Sequence, residues 1–424
     1  MPTAFWRLLL EHSGLRPMEP YSISREIAER RAAQRKFFSE VKLHRSGDYF
    51  RAQTRHIAER LQTRPSLFVG DRLQYEPDAL AFLEEQKAAT DTLVLYTHSA
   101  VWFPIKKVFQ MFGLSRPPPF SNWANPKDVR ALLTLSGWTL VHEDCKILCP
   151  LRLLGIGHLI NRWIAPLVPV VCMARFYVCR DIPVVKEASV SIIVPCRNEA
   201  GHIDQIIPRT PVFSSIEWIF VEGNSTDDTW GKIQALPGRH PDLKIKTARQ
   251  TGKGKGDAVR EGLKLATHDM VFVFDSDLST PPEELPLFFD AMVMGKCEFA
   301  NGNRLYYPMQ AKAMRFLNQV ANWFFGLKFS WLLGTPVKDT LCGTKVMWRK
   351  DFEAAVALRP YLDSIDPFGD FDMLFGARLL HLRILDIPVH YCDRQYGTTN
   401  IQRWRHGAIL FRMLWLAARK IKFI

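Results

Sequence analysis

The chain has 424 residues, enough for two or three domains at the roughly 150 residues a typical domain uses. With 47% hydrophobic and 23% charged residues it reads as globular, which excludes the disordered and collagen-like classes. No uncharged apolar run reaches the about 18 residues that a spanning helix needs. A net charge of +13 calls for an anionic partner or surface, and nucleic acid, acidic lipid and phosphorylated substrates all qualify on charge alone. The 8 cysteines lack metal-ligand spacing, give no disulfide framework and point to a reducing, cytoplasmic compartment. Cys145 and Cys149, the closest pair, read as buried thiols. The apolar Trp6 to Leu10 lacks a full signal core and a cleavage site, so no secretory signal is read.

In chain order, residues 20 to 64 are charged and helix-friendly, and the run from Ser24 to Glu40 has the pattern of an exposed amphipathic helix. Leu93 to Tyr96 predicts a short strand, followed by an apolar helix near Phe103 to Phe112 and a loop at Pro117, Pro118 and Pro119. Asn125 is placed to cap a helix with Pro126 at its first position. Gly137 to Val141 predicts the next strand, and the proline-bearing, mixed-charge stretch from Asp181 to Ala188 reads as a linker. Beyond it, Val190 to Val194, Trp218 to Val221 and Met270 to Phe274 are near-continuous apolar runs separated by helical patterns. Buried parallel strands of an α/β sheet read this way.

Ligands of such sheets bind outside the carboxyl ends of the strands, so the residues after each run carry the interest. The first run ends in Pro195-Cys196-Arg197-Asn198-Glu199, the second in Glu222-Gly223-Asn224-Ser225-Thr226-Asp227-Asp228, and the third in Asp275-Ser276-Asp277. Two carboxylates two residues apart at a strand end suit a hard divalent cation whose remaining positions go to phosphate oxygens. A lone Asp-X-Asp is most often a turn or a cap, and the coincidence of three clusters is what gives this one weight. Between the second and third clusters, Thr251-Gly252-Lys253-Gly254-Lys255-Gly256 precedes a helix. Its glycines, lysines and helix N-terminus suit an anion, although it is not a P-loop and a plain flexible loop also fits.

This ordered series resembles the inverting family 2 glycosyltransferases of the GT-A fold. Three further segments are similar to the polyprenol-phosphate hexosyltransferases, the group that includes the dolichol-phosphate mannose synthases: Gly302-Asn303-Arg304, Asp339 to Lys345, and Asp393 to Asn400. The resemblance covers residues 188 to 415. It implies an α/β fold with a GT-A, Rossmann-like mixed sheet, and transfer of a hexose from GDP or UDP to a polyprenyl phosphate. Donor contacts are implied at Pro195, Arg197, Glu199, Glu222 and Asp275, with Lys253 and Lys255 beside them, and Mg2+ or Mn2+ at Asp275 and Asp277. Arg304, Lys345, Arg394 and Thr399 are implied to meet donor or acceptor phosphates, and Asp277, Asp372 and Arg304 to serve the chemistry. Alanine at Arg304, Lys345 or Arg394 is therefore expected to weaken binding with little loss of stability. Two departures stand out: the family's frequent Asp-Asp-Gly-Ser is Glu222-Gly223-Asn224-Ser225 here, and its common Ser-Lys is Thr399-Asn400.

From Arg394 to Ile424 there are seven Lys or Arg and no Asp or Glu. Arg405, Arg412 and Arg419 share one side of a helical wheel, opposite Leu410, Leu414, Ala417 and Ile421, which suits an anionic membrane interface or, alternatively, a helix packed on the domain. Residues 92 to 180, with Asn122 to Arg130 and Gly137-Trp138, resemble the C-terminal part of class I methyltransferases. The Gly-rich turn that would cradle the cofactor is missing, so no S-adenosylmethionine is expected. The expected divisions are a helical extension at 1–64, a truncated methyltransferase-like domain at 65–185, a transferase domain at 186–400 and a basic helix at 401–424. The enzyme would sit on the cytoplasmic face of a membrane, without nucleic acid. The rival readings are a family 2 enzyme with a saccharide acceptor and a noncatalytic basic scaffold.

Overall fold

The computed structural model describes residues 45–61, 66–104, 107, 122, 125–150, 155–211, 213–308, 316–363, 366–392, 396 and 403–423. The helix read over 24–40 and the triple-proline loop lie outside them, as does most of the helix read over 103–112. Residues 53–424 form one compact unit, and the expected divisions after residue 64 fall within it. Residues 1–52 form a second unit, whose described part is the start of helix α1 (Arg45–Leu61).

Among the described residues the strands form two sheets. The first contains β1 (Leu67–Gly70), β2 (Thr92–His98), β3 (Thr139–Lys146) and β4 (Ala174–Arg180) in the order β1-β2-β4-β3. β1 and β2 are parallel, while β4 runs antiparallel between β2 and β3. Helices α2 (Ala79–Lys87) and α3 (Pro126–Leu135) cover one face around Leu83, Leu93, Leu95, Val129 and Tyr177. The cap read from sequence is present: Asn125 Oδ1 accepts from the backbone N–H groups of Lys127 and Asp128 at 2.9 and 3.1 Å, and Pro126 opens the helix. Between β3 and β4 the chain makes a run of short turns: α4 (Ile156–Leu159), a π turn over Ile160–Ile164, and 3-10 turns at Ala165–Leu167 and Pro169–Val171. Residues 181–189 carry no regular structure, as their composition predicts.

The second sheet takes the order β11-β9-β10-β8-β5-β6-β7. In chain order its elements are β5 (Val190–Cys196), α5 (Ile203–Arg209), β6 (Ile216–Glu222), α6 (Thr229–Arg239), β7 (Lys244–Arg249), α7 (Lys255–Leu265), β8 (Met270–Val273), α8 (Leu285–Val293) and β9 (Phe299–Asn303). There follow α9 (Phe316–Leu333), β10 (Lys345–Trp348), α10 (Arg349–Ala357), α11 (Asp370–Leu379), β11 (Ile384–Pro388) and α12 (Arg403–Ile421). β8, β5, β6 and β7 are mutually parallel, and β10 is antiparallel to both β8 and β9. The apolar runs are continuous because both faces of the sheet are covered. Ile193, Val271 and Val273 enter one core with α7, α9, α11 and α12, while Ile192, Val194 and Phe272 enter the other with α5 and α8.

Helix α12 lays Leu410, Met413, Ala417, Ala418 and Ile421 into the first of these cores and leaves Arg412 and Arg419 exposed. The helix is thus packed on the domain along its apolar side. A buried ionic cluster joins the two sheets: Asp144 on β3 pairs with Arg378 of α11 and with Lys422, and His142 Nε2 meets His381 Nδ1 at 2.9 Å and Arg378 Nη1 at 2.5 Å. Arg180 adds a second tie to Glu298 at 2.7 Å.

Candidate active site

Strand order reverses at β5, which has β6 on one side and β8 on the other, so a crevice opens where their carboxyl ends diverge. The loops after β5 and β6 are stitched into one shelf. Asn198 and Asn224 both adopt left-handed backbone, φ 57° and 58°, a conformation Asn tolerates better than most residues. The Asn198 N–H donates to Ser225 Oγ at 3.0 Å, Asn198 Oδ1 accepts from the Thr226 N–H at 2.8 Å, and the Glu199 N–H donates to Thr229 Oγ1 at 2.9 Å. Glu222, buried at the end of β6, accepts from the Ser225 N–H, while Glu199 pairs with His202 Nδ1 at 2.7 Å. Pro195 is half-buried and Arg197 exposed on this shelf.

The Gly-rich loop does something other than wait for an anion. Gly254, at φ 84°, and Gly256 let the loop backbone press against residues 367–369: a Cβ on Gly254 would stand 2.9 Å from the Pro367 carbonyl, and one on Gly256 2.9 Å from the Gly369 nitrogen. Residues 366–369 are themselves fixed by Asp366, whose carboxylate accepts from the N–H groups of Phe368, Phe371 and Asp372 at 2.8 Å each and so caps α11. This packing delivers Lys255 into the crevice, where Nζ lies 2.6 Å from Asp275 and 3.7 Å from Asp370. Burial works to lower the Lys255 pKa, but the two carboxylates outweigh it and hold the ammonium above its usual range. Lys253 stays exposed at the rim.

Asp275 and Asp277 leave β8 on this edge. Asp277 is buried and accepts from the Ser279 N–H at 3.0 Å, and Ser276 Oγ donates to the Pro195 carbonyl at 3.0 Å, tying the third cluster to the first. The Asp275 carboxylate lies across Gly343, so close that a Cβ there would fall 1.8 Å from Oδ2. Among the described residues no cluster of three or more His, Cys, Asp or Glu is arranged to hold a metal by itself. Asp275 already faces a cation, the Lys255 ammonium. The two carboxylates could supply only part of a divalent ion's ligand set, and the rest would have to come from a bound diphosphate.

Three expected phosphate or catalytic residues already have protein partners. Arg304 forms a two-pronged pair with Asp339, Nε and Nη2 at 2.7 and 3.0 Å, and its guanidinium stacks on Tyr391 at 4.9 Å. Burial raises the Asp339 pKa, but Arg304 outweighs it and the carboxyl stays below the usual range. Lys345, fully buried in β10, donates to Asn301 Oδ1 at 2.9 Å and to the Cys342 carbonyl at 2.5 Å. Asp372 points into a clamp of Arg359 at 2.6 Å and Arg260 at 3.3 Å. Arg304 and Lys345 thus each hold protein partners, Lys345 also lying 3.7 Å from Asp370, so we expect their loss to cost stability as well as any binding. Of the two α11 carboxylates, Asp370 faces the crevice lysine, not Asp372. Arg394 and Thr399 lie outside the described residues.

Tyr396 is a residue that the sequence reading passed over within its own segment. Its ring covers Gly201, meets His202 edge-on at 5.9 Å, and its hydroxyl lies 3.3 Å from Asp227, placing Tyr396 on the shelf. Only the glycine at 201 hints at this in the sequence.

Residues 191–354 match the model of glycosyl transferase family 2. A dolichol-phosphate mannosyltransferase of Pyrococcus furiosus is 34% identical over 119 residues, covering 27% of this chain and 33% of that protein. The match therefore spans a third of that relative's length. The glycosyltransferase AglJ of Haloferax volcanii is 28% identical over 236 residues, 54% of this chain and 72% of its own. Among solved structures, glucosyl-3-phosphoglycerate synthase from Mycobacterium tuberculosis, in complex with Mn2+, UDP and phosphoglyceric acid, is 17% identical with a TM-score of 0.39, covering 55% of this chain and 78% of its own. The family match begins within β5, so the four-stranded sheet lies outside it, and these matches lend the methyltransferase-like resemblance no support. Residues 191–354, which match glycosyl transferase family 2, carry β5 to β10, six of the seven strands of the mixed sheet.

Proposed function

We propose that the domain transfers a hexose from a nucleoside-diphosphate sugar to a polyprenyl phosphate at a membrane surface, with inversion at the anomeric carbon. The observation that carries this reading is the crevice at the β6-β5-β8 edge, where Lys255 pairs with Asp275, Asp277 follows two residues on, and Arg197 and Lys253 are exposed on the loops after β5 and β7. Such a group suits a diphosphate flanked by a base on the shelf of Pro195, Glu199 and Glu222. The names of the Pyrococcus relative and of an undecaprenyl-phosphate mannosyltransferase from Micrococcus luteus support the lipid-phosphate acceptor.

In the reaction, an acceptor phosphate oxygen attacks the anomeric carbon as the bond from that carbon to the donor diphosphate breaks, releasing the nucleoside diphosphate. A lipid phosphate is already anionic, so alignment and charge neutralisation matter more than a general base. Asp275 and Asp277 would hold a Mg2+ or Mn2+ that offsets the charge on the leaving diphosphate. Lys255 and Lys253 add positive charge on the same side, and Tyr396 packs on the shelf over Gly201.

The test is incubation of the full chain with radiolabelled GDP-mannose, UDP-glucose or other hexose donors, a divalent cation, and vesicles containing undecaprenyl or dolichyl phosphate. Label should extract into organic solvent only when the lipid phosphate is present. Label that stays in the aqueous phase on an added saccharide would overturn the acceptor and favour the polysaccharide reading. No transfer with any donor would favour the basic scaffold.

A further inference from the structure

Of the twenty large apolar side chains exposed among the described residues, twelve lie on three segments that touch one another: 156–171, α9 and α12. The first crosses the turns between β3 and β4. It leaves Leu159, Leu167 and Val170 exposed by 57%, 60% and 71%, with Trp163 at 37%. Soluble monomers rarely expose so much contiguous apolar surface without a use for it. Contacts make the patch continuous. Trp163 stacks near Trp415 of α12 at 6.5 Å and Phe423 at 5.0 Å, Trp331 of α9 donates to the Pro166 carbonyl at 2.9 Å, and Phe324 of α9 meets Phe411 of α12 at 5.7 Å.

The protrusion is built, not loose. Buried Asn161 accepts from the Leu148 and Cys149 N–H groups at 2.8 and 2.7 Å and donates to the Cys149 carbonyl at 2.6 Å and to Gln53 at 2.9 Å. Trp102 donates to the Val171 carbonyl at 2.8 Å on the far side. These bonds fix a turn whose exterior is Ile, Leu, Val and Trp, an arrangement that water disfavours and that folding alone does not require.

Charge selects the occupant. Residues 156–171, α9 and α12 contain no Asp or Glu, and their cations include Arg162, Lys328, Arg412 and Arg419. A protein partner would need acid opposite these cations and apolar cover at once, whereas the headgroup and upper acyl region of an anionic leaflet offers both in one layer, with Trp at the boundary. No helix among the described residues is long and apolar enough to cross a membrane. We infer that residues 156–171, α9 and α12 form a docking surface for an anionic bilayer. Its apolar wedge comes from the four-stranded half of the chain, for which the transferase motifs assign no role. The inference shares the membrane setting of the proposed function but rests on different residues.

The test is flotation of the full chain, without sugar donor, on phosphatidylglycerol-rich and on pure phosphatidylcholine vesicles. The wild type should float on the first, with a blue shift of tryptophan emission and quenching by brominated lipid. Leu167→Glu combined with Val170→Glu, at two exposed sites, should weaken partitioning at least about tenfold while the thermal transition stays in place. Arg412→Glu with Arg419→Glu should cut binding to anionic vesicles alone. Failure of the wild type to float, or unchanged flotation of the folded Leu167→Glu/Val170→Glu protein, overturns the inference. So does a wild-type dimer that this pair converts to a monomer, since the face would then be a contact between copies. Flotation needs no transfer, so its failure is read separately from failure of the glycosyl reaction.

Discussion

Replacing Arg304 by alanine should unfold the protein more readily, and the size of the effect follows from what Asp339 keeps. The Asp339 side chain is 0% exposed and that of Arg304 12%. Without the guanidinium, the carboxylate retains two backbone donors, Arg304 N–H at 3.2 Å and Leu341 N–H at 3.1 Å, but no cation in direct contact. Breaking a buried pair by removing one partner costs about 3–5 kcal/mol, and the two surviving hydrogen bonds put this case near about 3 kcal/mol. Loss of the guanidinium from the Tyr391 ring adds about 0.5–1 kcal/mol. Urea unfolding followed by far-UV circular dichroism and by tryptophan fluorescence would measure the loss. The double variant Arg304→Met with Asp339→Leu should regain most of it, because two apolar groups of similar volume leave no charge stranded. If Arg304→Ala costs under about 1 kcal/mol yet greatly weakens donor or acceptor binding, the pair is not structural and the arginine belongs to the substrate.

Asp275→Asn and Asp277→Asn should each lower turnover by orders of magnitude with small changes in thermal stability, and full activity in either, or in the presence of EDTA, would sink the metal assignment. Gly343→Ala puts a methyl group where the Asp275 carboxylate lies, and because that carboxylate can swing away the protein should fold; a shift of about 1 Å at the metal ligand is expected to cost about 10²-fold in kcat, and a variant with normal kinetics would show that Asp275 is not needed in this position. Burial, reinforced by Arg378 and His381, holds the His142 pKa well below its ordinary value. The unfolded chain therefore takes up a proton that the folded state refuses, and stability should fall as pH drops below about 6.5, with no contribution from this group above it. Unfolding curves at successive pH values should show that slope in the wild type and a smaller one in His142→Gln, and an equal slope in both would remove His142 from the account.

Strands that are apolar on both faces were legible in the sequence: Val190 to Val194, Trp218 to Val221 and Met270 to Phe274 mark β5, β6 and β8 because helices cover both sides. The strands β9, β10 and β11 were not, since their inward positions hold Asn301, Lys345 and Asp386, which satisfy one another: Asn301 donates to Asp386 at 2.8 Å and accepts from Lys345 at 2.9 Å. The same fact bears on how Lys345 reads in the sequence. A sequence displays a cation without its neighbours, and a lysine that neutralises its own core looks the same as one that awaits a phosphate. The carboxylates after β8 were legible as a candidate site because they follow an apolar strand run, as do two further polar clusters. Asp370 and Tyr396 were not, because long-range packing, through Gly254, Gly256, Gly369 and Gly201, decides which side chain reaches the crevice.

The placement of α12 bears on how the molecule is made. Its apolar side closes the same core that Ile193 and Val273 open, more than a hundred residues earlier, and Lys422 reaches back to Asp144 across most of the sequence. During synthesis the early strands emerge with that core uncovered and cannot be sealed until residues 403–421 have cleared the ribosome. The nascent chain therefore passes through an interval with β5, β6 and β8 partly unshielded, and contacts so far apart in sequence make folding slow relative to chains whose contacts are local.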